Sequence, residues 1–534
     1  MPTDSPELPR DPDLLVDKVA DLMSAIARVT EENAVLAAEN EKLRLLVSEF
    51  KRAMFGRRSE KIDPDQLELG LEDLEQSMGA SEAVIESIGA KDAARPPRTK
   101  AARNRGSLPR HLPRVDIVVD VEDKTCPCCH GSLHVIGEDV SEMLDVVPAQ
   151  YQVKRIIRPR YGCRTCENAV VQAPAPERPI TGGMATEALL ASVAVAKFAW
   201  HLPLYRQGQI LAGQGINLDR STLALWVGQA AWWLKPLYQL LLSTILSYPR
   251  VFCDETPVPV LDPGRGRTKT GQFWAYAVDD RPWCGPAPPA VAYVYTQDRK
   301  AERVRNQLQG FSGVLQVDGY AGYKGLTKSN RIGGPVTLAL CVAHARRKFY
   351  ELHKAHASPV AAEALRRIAE VYQVEEMVRG RPADQRLAAR QTKTKPILED
   401  MKAWLTARLA EVSGKSALAA AIRYTLSHWE GLTVFLGDGR VEVDSNTVER
   451  TIRSVGLTRK NALFAGSDGG AEHWAIFASL INSAKLGDID PQTYLTDVLE
   501  RVVSGRTKVD KLHELLPWAW KAARENNQPG RIAA

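Results

Sequence analysis

Asp254, Asp318 and Glu449 each lie where a carboxylate could hold a metal ion. Asp254 interrupts the apolar run Arg250-Val-Phe-Cys-Asp254-Glu-Thr-Pro-Val-Pro-Val-Leu261, and Asp318 ends Gly313-Val-Leu-Gln-Val317 just before Gly319-Tyr320. Glu449 follows Asp444-Ser-Asn446-Thr-Val448 at the expected start of a helix. Three converging carboxylates can hold two magnesium (or manganese) ions about 3.5–4 Å apart, an arrangement suited to phosphodiester chemistry. Each acid also has a structural reading. Asn446-x-x-Glu449 has the form of a capping box, Asp318-Gly319 that of a turn, and Asp254 that of a solvent-side strand residue.

A second metal set is written in cysteines. Of eight, five fall in two short groups, Cys126-Pro-Cys128-Cys129-His130 and Cys163-Arg-Thr-Cys166, while Cys253, Cys284 and Cys341 stand alone. That distribution favours metal binding in a reducing compartment over disulfides. Cys126, Cys129, Cys163 and Cys166 give two equal spacings and are assigned to a structural zinc, about 2.3 Å from each thiolate. Cys128 and His130 remain alternatives within the first pair, and a strand is expected over Gln152–Ile157 between the pairs. His344, three residues after Cys341, also fits zinc spacing, but a lone pair is an incomplete site; a supporting role beside Asp318 is expected.

These groups need elements to carry them. With 534 residues the chain exceeds one core. Leu15, Leu22, Val29, Leu36, Leu43 and Phe50 recur every seven positions, with Val19, Ile26, Asn33, Asn40 and Val47 at the offset a positions. This predicts a leucine-zipper coiled coil over 1–56, whose asparagines would fix register in a homodimer or higher oligomer. An acidic then basic linker (57–114) follows, concentrating positive charge between Lys91 and Arg114 although the whole chain carries only +6. A zinc ribbon is expected over 115–175. Residues 180–247 read as a helix-turn-helix DNA-binding region, with Arg220 and Ser221 opening the second helix and Ser221 able to cap it.

From 248 to 350 the pattern is three strands, a helix, then two strands, the order of a ribonuclease H-like domain. Its neighbouring central strands would bring Asp254 and Asp318 together. Residues 351–438 read as an all-helical insertion, 439–470 as the returning part of the core with the Glu449 helix, and 471–534 as a helical C-terminal region. Arg450, Arg453, Arg459 and Lys460 near Glu449 suit phosphate binding. The opening residues have no basic-then-apolar leader, and Ala188–Trp200, broken by Lys197, is too short to cross a bilayer, so a cytoplasmic protein without membrane contact is expected.

Cys253-Asp254-Glu-Thr, Val317-Asp318-Gly-Tyr-Ala-Gly-Tyr323, Cys341-Val-Ala-His344-Ala-Arg-Arg-Lys-Phe349, Asn446-Thr-Val-Glu449-Arg450 and Arg459-Lys460-Asn461-Ala-Leu-Phe464-Ala-Gly-Ser467 resemble the insertion-sequence-66 transposases. The likeness extends over nearly the whole chain, departing at Cys128-Cys129-His130. It implies a bacterial, nucleoid-associated DDE transposase that cleaves element ends and transfers strands, with Asp254, Asp318 and Glu449 as its acids. It also allows for accessory proteins encoded beside it. A zinc-ribbon DNA-binding regulator, or a nuclease without strand transfer, is the alternative.

Overall fold

In a computed structural model the described residues are 18–20, 23, 24, 26, 116, 128, 151–162, 170–262 and 267–526. The chain divides into two compact units, Met1–Lys154 and Arg155–Ala534. In the first, residues 18–20, 23, 24 and 26 are helical, and Val19 and Ile26, two of the predicted a positions, are exposed. The rest of the predicted zipper, the basic linker and all four assigned zinc cysteines lie outside the described residues.

Across the boundary between the units, the strand expected over Gln152–Ile157 is not formed; Val153 and Ile157 stand exposed in irregular chain. Strands β1 (Arg160–Gly162) and β2 (Val170–Gln172) pair antiparallel instead. Cys163 and Cys166 fall between these strands in sequence, outside the described residues.

Three helices follow: α1 (Glu187–Phe198), α2 (Leu204–Gly213) and α3 (Arg220–Ser247). Thr186 starts α1 by accepting the Leu189 N–H. At α3 the capping residue is Asp219, which accepts from the Ser221 N–H; Ser221 itself lies in the first turn. Along α3, Leu223, Val227, Ala230, Leu234, Leu237, Leu241 and Ile245 repeat at three- and four-residue intervals, and all are buried.

The chain then builds one five-stranded sheet from β3 (Arg250–Asp262), β4 (Arg267–Val278), β5 (Ala290–Thr296), β6 (Gly313–Val317) and β7 (Val336–Leu340), with α4 (Ala301–Gln307) before β6. Its spatial order is β5-β4-β3-β6-β7; the β3–β4 and β4–β5 pairs are antiparallel, and β3–β6 and β6–β7 are parallel. Strand β3 outruns its short pairing with β6, and only that free stretch contains Pro257 and Pro259. Both can sit there because a proline nitrogen facing an open edge withholds no ladder hydrogen bond.

Residues between the sheet and its return form α5 (Val342–His356), α6 (Pro359–Val378), α7 (Ala383–Ala389), α8 (Lys395–Glu411), α9 (Ala417–Ser427) and the single turn α10 (Trp429–Leu432). They close their own core around Phe349, Ile368, Met401, Leu405, Ile422 and Phe435. Inside it, Glu375 receives hydrogen bonds from both Arg386 and Arg390, three charges that are each at least nine-tenths buried. Arg390 also donates to the carbonyls of Phe435 and Asp438 at 3.0 Å, which closes the bundle just before the chain returns to the sheet.

The return is made by α11 (Asn446–Ala462), followed by α12 (Asp468–Leu486), α13 (Pro491–Val503) and α14 (Pro517–Asn526). Helix α12 covers the open edge of β5. Ser479 Oγ accepts the Tyr293 N–H at 2.8 Å, and Ser483 Oγ both accepts from Val291 N and donates to Val291 O. Two serines thus replace a missing sixth strand, sparing amides whose unpaired burial costs about 1–3 kcal/mol each. Apolar residues of α1, α3, α12 and α13 share a single core with the sheet. Residues from 180–247 and from 471–526 contribute to the same core as the strands.

Candidate active site

Phe252 on β3 pairs with Gln316 on β6, so Asp254 and Asp318, each two residues further, lie level on neighbouring parallel strands. Side chains alternate along a strand, and both aspartates therefore project from the face that carries Phe252 and Gln316. Asp318 lies one residue past the end of β6, where its carboxylate accepts the Tyr320 N–H at 2.9 Å and shapes the turn. Gly319 lets the Tyr424 hydroxyl come close beside it: a Cβ there would lie 2.6 Å from that oxygen, and the tyrosine would have to shift.

The third acid reaches the same face by a hook. Gln316 donates to the Glu442 carbonyl and accepts the Glu442 N–H, both at 3.0 Å, so one side chain pairs with returning backbone as a strand would. Val342 N–H adds a bond to the Val443 carbonyl at 3.1 Å. Helix α11 begins just beyond this anchor and packs over β3 and β4, carrying Glu449 in its first turn. Its N-cap is Ser445, whereas Asn446 is already helical and its side chain bonds to Asp444. The Glu449 carboxylate accepts from the Ser445 hydroxyl at 3.0 Å rather than from a backbone amide, so the capping-box role does not form.

Burial is the largest influence on Asp254, pushing its carboxyl up to about 7, and the charges of Glu255, Asp318 and Glu449 push the same way. The Glu255 N–H, donating to Asp254 at 2.8 Å, opposes them. Glu255 itself was not singled out from the sequence. It projects from the opposite face, where Arg299 pairs with it and the Tyr323 hydroxyl donates to it at 2.9 Å. Burial and Asp318 raise its pKa while these two partners lower it. An acid adjoining Asp254 in an apolar strand was the available signal; its partners come from distant segments.

His344, in the first turn of α5, lines a cleft with Asp318, Tyr320, Arg347, Lys348, Glu351 and Tyr424. Its Nδ1 lies 3.9 Å from Glu449 Oε1. The expected position beside Asp318 is thus occupied, with Glu449 in reach as well. Arg347 and Lys348 supply cations to the cleft that the sequence reading overlooked; both follow His344 on the same helix.

Among the expected phosphate contacts, Arg450 and Arg453 are exposed on α11, within one or two turns of Glu449. Lys460 is exposed near the end of that helix. Arg459 is committed to the fold, since its guanidinium donates to the Pro257 carbonyl and to Thr256 on the free edge of β3. Arg220 and Ser221 are exposed where α3 begins. Asp254, Asp318, Glu449 and His344 are thus brought together, whereas the zinc cysteines lie outside the described residues.

By its family models the chain falls in a class, the nucleic-acid-cleaving transposases. Residues 182–473 match the model described as Transposase IS66 family, and 479–518 match the IS66 C-terminal element. Residues 123–167 match the zinc-finger binding domain of transposase IS66, which supports a structural zinc. Residues 42–117 match the family's leucine-zipper model, described as Transposase C of IS166 homeodomain. The chain belongs to the IS66 transposase family. Among similar proteins, the uncharacterised y4jD of Sinorhizobium fredii is 55% identical over 90% of this chain and 94% of its own length. The uncharacterised y4qI of the same organism is 40% identical over 94% of each chain. Among the described residues, no helix is long and apolar enough to cross a membrane.

Proposed function

We propose that this chain is a DNA transposase with a ribonuclease H-like core, cutting the ends of a bacterial insertion sequence and joining them to target DNA through Asp254, Asp318 and Glu449. The observation that carries the reading is the level placement of Asp254 on β3 and Asp318 just past the end of the adjacent parallel strand β6, with Glu449 of α11 near enough for its charge to raise Asp254. The sheet order and the helical insertion before α11 support the ribonuclease H-like assignment.

The site fits divalent cations. Its donors are all oxygen, as magnesium or manganese prefers, and the mutual repulsion that raises Asp254 is what a bound cation relieves. When bound, two such ions activate an attacking oxygen and stabilise the leaving one. The chain supplies the remainder. Asp254 and Asp318 fix the site to the rigid sheet, Ser445 orients Glu449, and the anchor at Gln316 holds α11 in place. Arg347, Lys348, Arg450 and Arg453 would grip the phosphodiester backbone on either side. No nucleophilic side chain is required, because water and then the freed 3′-hydroxyl attack directly.

The four-cysteine zinc ribbon and the α2–α3 region, with Arg220 and Ser221, would recognise the element ends. The N-terminal zipper would bring two copies together so that two ends are held at once. Such a protein acts in the cytoplasm on the nucleoid.

The test is cleavage and strand transfer on DNA carrying the element's ends, with magnesium or manganese. Asp254→Asn, Asp318→Asn and Glu449→Gln are each expected to abolish both reactions while remaining folded. Full activity in any one of them removes that residue from the site. Release of ends without joining would make the protein a hydrolase.

A further inference from the structure

We propose that Cys341, His344 and Glu449 form a binding site for a thiophilic divalent cation, of the zinc or cadmium type, adjoining the aspartate pair but different from it in chemistry. One sulfur, one nitrogen and one oxygen donor come within 4.8 Å of one another. They arise from two elements: Cys341 is the N-cap of α5, His344 sits one turn on, and Glu449 arrives on α11 after the helical insertion. The Cys-x-x-His pair that is incomplete in the sequence acquires its third ligand only through the fold.

Three further observations favour a cation here. His344 Nδ1 is buried yet has no hydrogen-bond partner, a costly state for an imidazole nitrogen unless something else takes its lone pair or proton. Burial pushes the Cys341 thiol up, and the Ser445 N–H, donating to Cys341 Sγ at 3.3 Å, is placed to oppose that and to hold the sulfur once a metal has taken its proton's place. Ser445 Oγ donates to Glu449 Oε1, which turns that carboxylate toward the same point. Tetrahedral zinc, with bonds of about 2.3 Å to sulfur and about 2.0–2.1 Å to nitrogen and oxygen, separates its ligand atoms by about 3.3–3.6 Å. Closing the 3.9 Å gap between His344 and Glu449 to that spacing needs about half an ångström of side-chain movement.

The backbone is held for this. Cys341 N–H donates to the Val317 carbonyl and Val342 N–H to the Val443 carbonyl, so both ligand-bearing segments are tied to each other or to β6. Binding would release the Cys341 thiol proton to solvent as the sulfur–metal bond forms. Three protein ligands leave the fourth tetrahedral position open to water or a phosphate oxygen. An ion seated here draws on Glu449, so a soft metal and a magnesium ion compete for the same carboxylate.

The test is the metal content of the full-length chain. Protein dialysed against micromolar zinc with millimolar magnesium is assayed for zinc per chain. Cadmium titration then follows the ultraviolet charge-transfer absorption of thiolate–cadmium bonds. Cys341→Ser and His344→Gln are expected to hold one zinc fewer than wild type, while Cys163→Ser loses the ribbon ion and keeps this one. His344→Gln keeps the thiol and a side chain of similar reach, so the test survives if the cysteine variant misfolds. Zinc content equal in wild type and both variants, each folded by circular dichroism, overturns the proposal. The transposase reading fails by a different measurement, cleavage surviving in Asp254→Asn, which metal content does not report.

Discussion

Replacing Asp254 by asparagine should stabilise the metal-free protein while abolishing its activity. The folded carboxyl is raised from an ordinary 3.8 to about 7, chiefly by burial and then by the surrounding acids. A folded-state value above the unfolded one means that the folded chain binds the proton more tightly. Stability is therefore lost as pH rises from about 4 through about 7, and stays low above. At about 1.36 kcal/mol per pH unit the full loss is on the order of 4 kcal/mol at pH 8, and on the order of 1.5 kcal/mol at pH 5. Water reaching the partly exposed carboxylate screens some of this, so a gain of about 2–4 kcal/mol at pH 8 is expected for Asp254→Asn. Asparagine retains the oxygen that accepts the Glu255 N–H, so the backbone bond survives. Urea unfolding of the full chain in magnesium-free buffer, followed by tryptophan fluorescence at pH 5 and pH 8, measures the difference. Added magnesium should narrow it by stabilising wild type alone. A variant no more stable than wild type at pH 8, or a gain identical at both pH values, would refute the reasoning.

Three further substitutions probe how the site is held. Gln316→Ala strips the Glu442 backbone of both partners and should cost about 1–3 kcal/mol, with a larger fall in DNA cleavage than in folded sheet content by circular dichroism. Ser479→Val leaves the Tyr293 N–H unpaired against α12 and should lower stability by about 1–3 kcal/mol in urea titration, without altering metal binding. Glu375→Leu leaves Arg386 and Arg390 buried without their shared counter-charge; a loss of about 3–5 kcal/mol is expected by the same assay.

Much of the sheet was legible because its strands are local patterns. The apolar runs Arg250–Leu261 and Gly313–Val317 form strands that end within a residue of the expected bounds, whereas the strand around Trp274 begins at Arg267, through polar residues that do not read as a strand. Asp254 and Asp318 were legible for the same reason, as acids set into those runs. Glu449 was ambiguous because its local sequence suits a helix cap; only the Ser445 hydroxyl bond and the anchor at Gln316 distinguish the two roles, and both depend on tertiary structure. Arg459 was assigned to phosphate; the carbonyl that a neighbouring strand offers its guanidinium is not visible in the sequence. The Gln152–Ile157 segment carries the β-branched residues Val153, Ile156 and Ile157, yet it runs as irregular chain. Helix α3 was read as a presenting element, whereas its regular apolar stripe commits most of its length to the shared core.

The serines of α12 have a bearing on assembly. A sheet with an open edge can recruit a strand from another molecule, a common route both to dimers and to aggregates. Here Ser479 and Ser483 occupy the hydrogen-bonding positions that an incoming strand would take along β5. At the opposite border Gly431 lies so close to β7 that an added Cβ would come within 2.6 Å of Leu340 Cγ. The β5 border is thus closed to strand addition. If copies of this chain assemble, a strand added along β5 is not the route, because α12 already holds the amides it would need.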